Sequence, residues 1–182
     1  MKSQALAIAL LFSAAGAPFA CAADGTINFY GELTSQTCTI LVNGVATPAV
    51  AAVTLPTVST ASLTSAGQTS GATGFNIELA NCTWHNKTAA AFFESGSTVD
   101  PFNGNLKNTS LGGATNVELQ LLDGANGSAI MAGNTNQITN TTRYDFGATG
   151  SATMPYAVQY YATGVTTGGP VVSSVTYSIN YQ

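Results

Sequence analysis

The chain closes on Val175-Thr176-Tyr177-Ser178-Ile179-Asn180-Tyr181-Gln182, where apolar and polar residues alternate without a break to the penultimate position. Successive side chains of an extended strand point to opposite faces of a sheet, so Val175, Tyr177, Ile179 and Tyr181 share one face. The pattern predicts a strand with a single buried face. The sequence then stops, with no strand after it to cover the adjoining edge. A matching oddity stands near the other end. Ile27, Phe29 and Leu33 alternate with Thr26, Asn28, Tyr30 and Glu32, and Gly31 falls on the apolar face. A short extended segment at the start of a chain, with no partner of its own, frays. One arrangement accounts for both: the N-terminal strand of one molecule completes the sheet of another.

Period two continues between these ends, and no stretch of period 3.6 persists beyond two turns. Cys38, Ile40 and Val42 lead to the turn signal Asn43-Gly44. Val53 and Leu55 predict a short strand stopped by Pro56. Residues 57–74 read as a Ser/Thr/Gly-rich connection with one helical turn at Ala61 to Leu63. Further strands are expected at Phe75-Ile77-Leu79, at Ala89 to Phe93 as a fully buried run, at Val117-Leu119-Leu121 and at Tyr156-Val158-Tyr160. Leu111 to Gly113 and Gly133 to Thr142 read as surface loops. Short strands spaced by turn residues predict an all-β, immunoglobulin-like sandwich.

Only 7% of the 182 residues are charged and the formal net charge is −4, against about 25% charge in an ordinary domain. Such a chain lacks the basic surface that nucleic acid requires, so no nucleic-acid partner is expected. Lys2, the apolar run from Ala5 to Ala17 and the small-residue site Ala20-Cys21-Ala22 predict a signal peptide over 1–22. Phe19, next to a proline, argues against a lipoprotein site at Cys21. Removing the segment leaves two of the three cysteines, Cys38 and Cys82. In an oxidising compartment their expected state is a disulfide, two buried thiols being the alternative.

The order and spacing of several segments carry a resemblance. They are Gly25 to Leu33 leading to Cys38, Ala61-Ser-Leu-Thr-Ser-Ala-Gly67, Gly74-Phe-Asn-Ile-Glu-Leu-Ala-Asn-Cys82, Ala114 to Asp123, Tyr161-Ala-Thr-Gly164 and the ending Val175 to Gln182. Across essentially the whole mature chain the sequence resembles the type 1 fimbrial (pilin) subunits of the chaperone-usher pathway, and most closely their major shaft subunits. The resemblance implies an incomplete immunoglobulin-like β-sandwich that lacks its last strand and is completed by a donor strand from a neighbouring subunit. It divides the chain into a signal peptide (1–22), an N-terminal extension (23–36) and a pilin domain (37–182). Ile27, Phe29, Gly31 and Leu33 become the donor-strand face. Val175, Tyr177, Ile179 and Tyr181 become the chaperone and subunit interface, with Tyr181 the family's penultimate tyrosine. The implied partners are identical subunits in a fibre, a periplasmic chaperone, an outer-membrane usher and a tip adhesin or adaptor subunit. The implied location is an extracellular fimbria on a Gram-negative cell, reached through the periplasm.

Other functions find little support in the residues. His85 is the single histidine and no G-x-S-x-G elbow accompanies it. No G-x-G step occurs, so neither a dinucleotide fingerprint nor a phosphate loop can form. Two cysteines and one histidine are too few for a metal site. No enzyme activity, metal or cofactor is expected. The competing function is sugar binding by a minor or tip subunit, with Trp84, Tyr144, Tyr156, Tyr160 and Tyr161 as stacking platforms. The N-x-S/T sequons at Asn86, Asn108, Asn126 and Asn140 follow from a surface rich in these residue types.

Overall fold

A computed structural model describes residues 38–47, 49–83 and 87–182. The expected signal peptide, the donor-strand residues Ile27, Phe29, Gly31 and Leu33, and Trp84 and His85 lie outside the described residues.

Among the described residues ten strands, all antiparallel, form two sheets. The larger contains β1 (Thr39–Val42), β2 (Val45–Ala46), β3 (Thr69–Ala80), β5 (Leu106–Lys107), β6 (Val117–Asp123), β7 (Ala129–Ile130) and β9 (Ala152–Ala162), in the order β2-β1-β3-β9-β6-β5 with β7 also on β6. The smaller contains β4 (Thr88–Phe93), β8 (Tyr144–Asp145) and β10 (Tyr177–Tyr181), in the order β10-β4-β8. Asn43 and Gly44 both take positive φ, 47° and 78°, as the two-residue hairpin between β1 and β2 demands.

Alternation places Ile77 and Leu79 of β3, Leu119 and Leu121 of β6, and Met154, Tyr156 and Val158 of β9 on one face. They share a single buried cluster with Ala89, Ala91 and Phe93 of β4. The two sheets are therefore the layers of a sandwich. Tyr156 ties them together. Its ring meets Phe93 edge-on at 5.2 Å, and its hydroxyl accepts the Ala91 N–H at 2.8 Å. Cys38 and Cys82 are joined in a disulfide that links the start of β1 to the end of β3.

Several sequence expectations need correction. Val53 and Leu55 are half-buried, yet no ladder partner among the described residues makes them a strand. The connection expected over 57–74 ends sooner, because β3 begins at Thr69. A bulge between Ser70 and Thr73, with Gly71 at φ 68°, disguises its periodicity. The tract from Gly133 to Thr142 holds a short helix, α1 (Gln137–Asn140). Its Gln137 side chain accepts from the Phe93 N–H at 2.9 Å and donates to the Phe93 carbonyl at 3.0 Å, doing for β4 what a longer β8 would have done. The two-residue strands β5, β7 and β8 are too short to show a period.

Candidate functional site: an open edge beside the core

The distinctive surface lies along the last residues of the chain. Glu94 donates its N–H to the Thr176 carbonyl, and Thr88 and Gln182 exchange both of their main-chain hydrogen bonds. Between these points Ser178 lies opposite Phe92 and Asn180 opposite Ala90. Even-numbered residues therefore spend their main-chain groups on β4. The N–H and C=O groups of Tyr177, Ile179 and Tyr181 point the other way, where no described strand stands.

The same residues send their side chains inward. Val175, Tyr177, Ile179 and Tyr181 are half-buried and pack against the core cluster, as does Val171. The Tyr181 ring lies 5.9 Å from that of the fully buried Phe146. The sequence alternation thus runs on past the ends of β10, and the structure brings all four predicted interface residues into one row.

Residues 50–58 supply a second row. Ala51, Val53 and Leu55 pack half-buried against the same cluster, while Ala52 and Thr54 between them are exposed. This segment makes no main-chain hydrogen bond with any described residue. Its end and the beginning of the C-terminal row meet at a cleft of about 200 Å3 lined by Val58, Leu63, Val117, Tyr160 and Val171. Two rows whose main chain has no partner among the described residues thus border one core, an arrangement a sandwich shows where a strand is missing.

Arg143, the single arginine of the chain, holds the C-terminal row in place. Its guanidinium donates to Asn180 Oδ1 and O, both at 2.9 Å, and to Thr88 Oγ1 and O at 3.0 and 3.2 Å. Burial pulls its pKa below the ordinary value. Burial also raises the phenols of Tyr177 and Tyr181, so both stay protonated and neutral in ordinary media. Asp123, fully buried on β6, is satisfied by the N–H groups of Ala125 and Thr142 at 2.9 and 2.7 Å and by Asn126 Nδ2 at 3.2 Å. Nothing in the local periodicity announces Arg143 or Gln137; their partners lie 37 to 55 residues away.

A family model described as type-1 fimbrial protein, A (FimA) matches residues 55–182. The chain belongs to the type-1 fimbrial protein family. It is a structural fimbrial subunit; such subunits polymerise into fibres, and its location is an extracellular fimbria. The major fimbrial subunit SMF-1 of Stenotrophomonas maltophilia is 46% identical over 92% of this chain and 99% of its own. The F17 fimbrial protein of Escherichia coli is 39% identical over 94% and 95%. Among solved structures, a Burkholderia pseudomallei antigen and type I fimbria protein superposes with a TM-score of 0.53 at 26% identity, covering 80% of this chain and 99% of that one. The P pilus rod subunit PapA, at 19% identity, has the same fold with a TM-score of 0.55, over 80% and 99%.

In this fimbrial subunit the tyrosines weighed as sugar platforms are not gathered. Tyr156 is in the core, Tyr160 lines the cleft, and Tyr161 faces away from it on the other side of β9.

Proposed function

We propose that the open edge is an acceptor groove. The N-terminal strand of another copy fills it, inserting Ile27, Phe29, Gly31 and Leu33 over the row Val175, Tyr177, Ile179 and Tyr181, and so polymerises the subunits into the shaft of a fimbria. Chaperone–pilin strand complementation is a known form of β-augmentation, in which main-chain hydrogen bonds supply affinity and alternate side chains supply specificity. The observation that carries the proposal is the coincidence of two properties in the same residues. Tyr177, Ile179 and Tyr181 have half-buried side chains on the core and unpaired main-chain groups on the edge.

An edge of this kind invites aggregation before assembly. A periplasmic chaperone covers it first, an outer-membrane usher then exchanges that cover for the next subunit's strand, and the growing shaft carries a tip adhesin or adaptor. The subunit passes through the periplasm to reach the fimbria. Its task is mechanical and requires no catalysis.

Gly31 tests the reading. It shares the parity of Ile27, Phe29 and Leu33 and is the only one of the four without a side chain. A large residue there collides with the groove floor of the next subunit and leaves the subunit's own sandwich untouched. Gly31→Arg is expected to give a soluble, disulfide-bonded subunit that accumulates with its chaperone. The wild type forms ladders that survive SDS without heating, and the variant does not. Normal ladders from Gly31→Arg would refute strand insertion by this face.

A further inference from the structure

Asn43, at the tip of the hairpin between β1 and β2, is one of three asparagines followed by glycine; the others are Asn103 and Asn126. An Asn-Gly step breaks down unaided, because glycine sets no side chain in the way when its main-chain nitrogen attacks the asparagine Cγ. By sequence the three steps are equivalent. Their side-chain carbonyls are equivalent in the structure as well. Asn43 Oδ1 accepts the Asn76 N–H, Asn103 Oδ1 the Asn105 N–H and Asn126 Oδ1 the Ser128 N–H, each at 2.8 Å. Each of these donors polarises the carbonyl and faces the oxygen on which attack places negative charge.

The two nitrogens of the reaction separate the sites. At Asn103 the nucleophile, Gly104 N, donates to the Asp100 carbonyl at 2.8 Å, and the leaving nitrogen, Asn103 Nδ2, donates to Glu118 Oε2 at 2.8 Å. At Asn126 the Gly127 N–H donates to the Asp123 carbonyl at 2.7 Å, and Asn126 Nδ2 donates to Asp123 Oδ2 and Thr142 Oγ1 at 3.2 and 3.3 Å. Both sites must give up these bonds before nitrogen can turn to carbon. Asn43 and Gly44 are exposed, and neither Gly44 N nor Asn43 Nδ2 donates to a described residue. No atom lies within 4 Å of the place a Gly44 side chain would occupy. Attack requires the turn to open, and that opening is easy: β2 is two exposed residues at the edge of the larger sheet.

We propose that Asn43 is a site of spontaneous modification, the one Asn-Gly step that the folded subunit leaves reactive. Gly44 N gives its proton to solvent base and bonds to Asn43 Cγ. The Cγ–Nδ2 bond breaks, and ammonia leaves with a proton from solvent. The five-membered imide then takes up one water at either of its carbonyls, so position 43 ends as aspartate or isoaspartate. Aspartate keeps an oxygen for the Asn76 N–H, and the hairpin persists with a new negative charge at its tip. Isoaspartate lengthens the main chain of a two-residue turn and disrupts the pairing of Val42 with Val45. A fibre built from this subunit accumulates the mark along its sheet edges with time.

The oxidised mature chain, kept folded in mildly alkaline buffer and sampled over days, tests the proposal by peptide mapping at all three steps. Asn43 should lose its amide at least about tenfold faster than Asn103 or Asn126, the factor that hydrogen bonds to both nitrogens supply at the other sites. In urea with the disulfide reduced, the three rates should converge to within a few-fold. Isoelectric focusing gives a second reading: folded wild type gains an acidic band that Asn43→Asp shows from the start and Asn43→Gln gains far more slowly. Four results would overturn the proposal: Asn103 or Asn126 keeping pace with Asn43 in the folded chain, Asn43 staying intact there while it converts in urea, the same ranking of sites in urea, or an acidic band forming at full rate in Asn43→Gln. The mapping compares three sites within one wild-type molecule, so it decides the matter even where Asn43→Gln fails to fold.

Discussion

Replacing Tyr156 by phenylalanine removes one oxygen from the centre of the sandwich. The ring stays, so its edge-on contact with Phe93 at 5.2 Å and its tilted contact with Phe75 at 5.8 Å persist. What disappears is the acceptor of the Ala91 N–H, on a strand where Ala89, Ala90 and Ala91 are all buried and water has no access. Leaving that donor unpaired costs about 1–3 kcal/mol near neutral pH. The phenol itself is pushed up to about 12, chiefly by burial, against an ordinary value near 10. The folded protein therefore holds this proton when the unfolded chain has released it. The resulting stability is fully present below pH 10 and drains as pH rises through 12, by about 3 kcal/mol in all on a shift of about two pH units at 1.36 kcal/mol each. Phenylalanine has no proton to lose. Denaturant unfolding of the oxidised subunit should place Tyr156→Phe about 1–3 kcal/mol below wild type at pH 7, with the gap closing or reversing near pH 12. A constant gap across that range would refute the assignment of the alkaline instability to this tyrosine, and no gap at pH 7 would refute the cross-sheet hydrogen bond.

Three further outcomes follow from the same geometry. Arg143→Met keeps the length of the side chain and loses four hydrogen bonds to Thr88 and Asn180, for a loss of roughly 2 kcal/mol or more; hydrogen exchange should show the amides of Ser178, Asn180 and Gln182 losing protection first, and uniform loss across the sandwich would contradict a local clamp. Replacing Cys38 and Cys82 by alanine opens a loop with a sequence separation of 44 and should lower stability by about 4 kcal/mol on the chain-entropy estimate, read from the shift in urea midpoint; an unchanged midpoint would count against it. Tyr181→Ala removes the ring that packs on Phe146 and lines the open edge, so subunit recovered with the periplasmic chaperone should fall several-fold, and equal recovery would remove Tyr181 from that interface.

Much of the fold was legible because a strand with one buried face carries its own period. β3, β4, β6, β9 and β10 each show their inward residues in the sequence, and Asn43-Gly44 announces its hairpin, since those residue types tolerate positive φ. The cysteine count, once a signal peptide is set aside, leaves one pairing, and that disulfide is present. The inward-facing row Val175, Tyr177, Ile179 and Tyr181 was readable for the same reason of parity. Other features depend on which strands become neighbours. Whether Val53 and Leu55 form a strand turns on a partner, and the fold places none among the described residues, so the same alternation that makes a strand of Ile77 and Leu79 makes an unpaired rim of them. Arg143, Gln137 and Tyr156 carry hydrogen bonds to residues 37 to 65 positions away, which no local pattern encodes. Ser173 Oγ and Tyr177 OH are shut away from water, with no hydrogen-bond partner among the described residues, only because the sandwich forms around them. Sequence determines which way each side chain points along an extended chain; tertiary structure decides what stands opposite, because pairing and burial are properties of residues that meet in space.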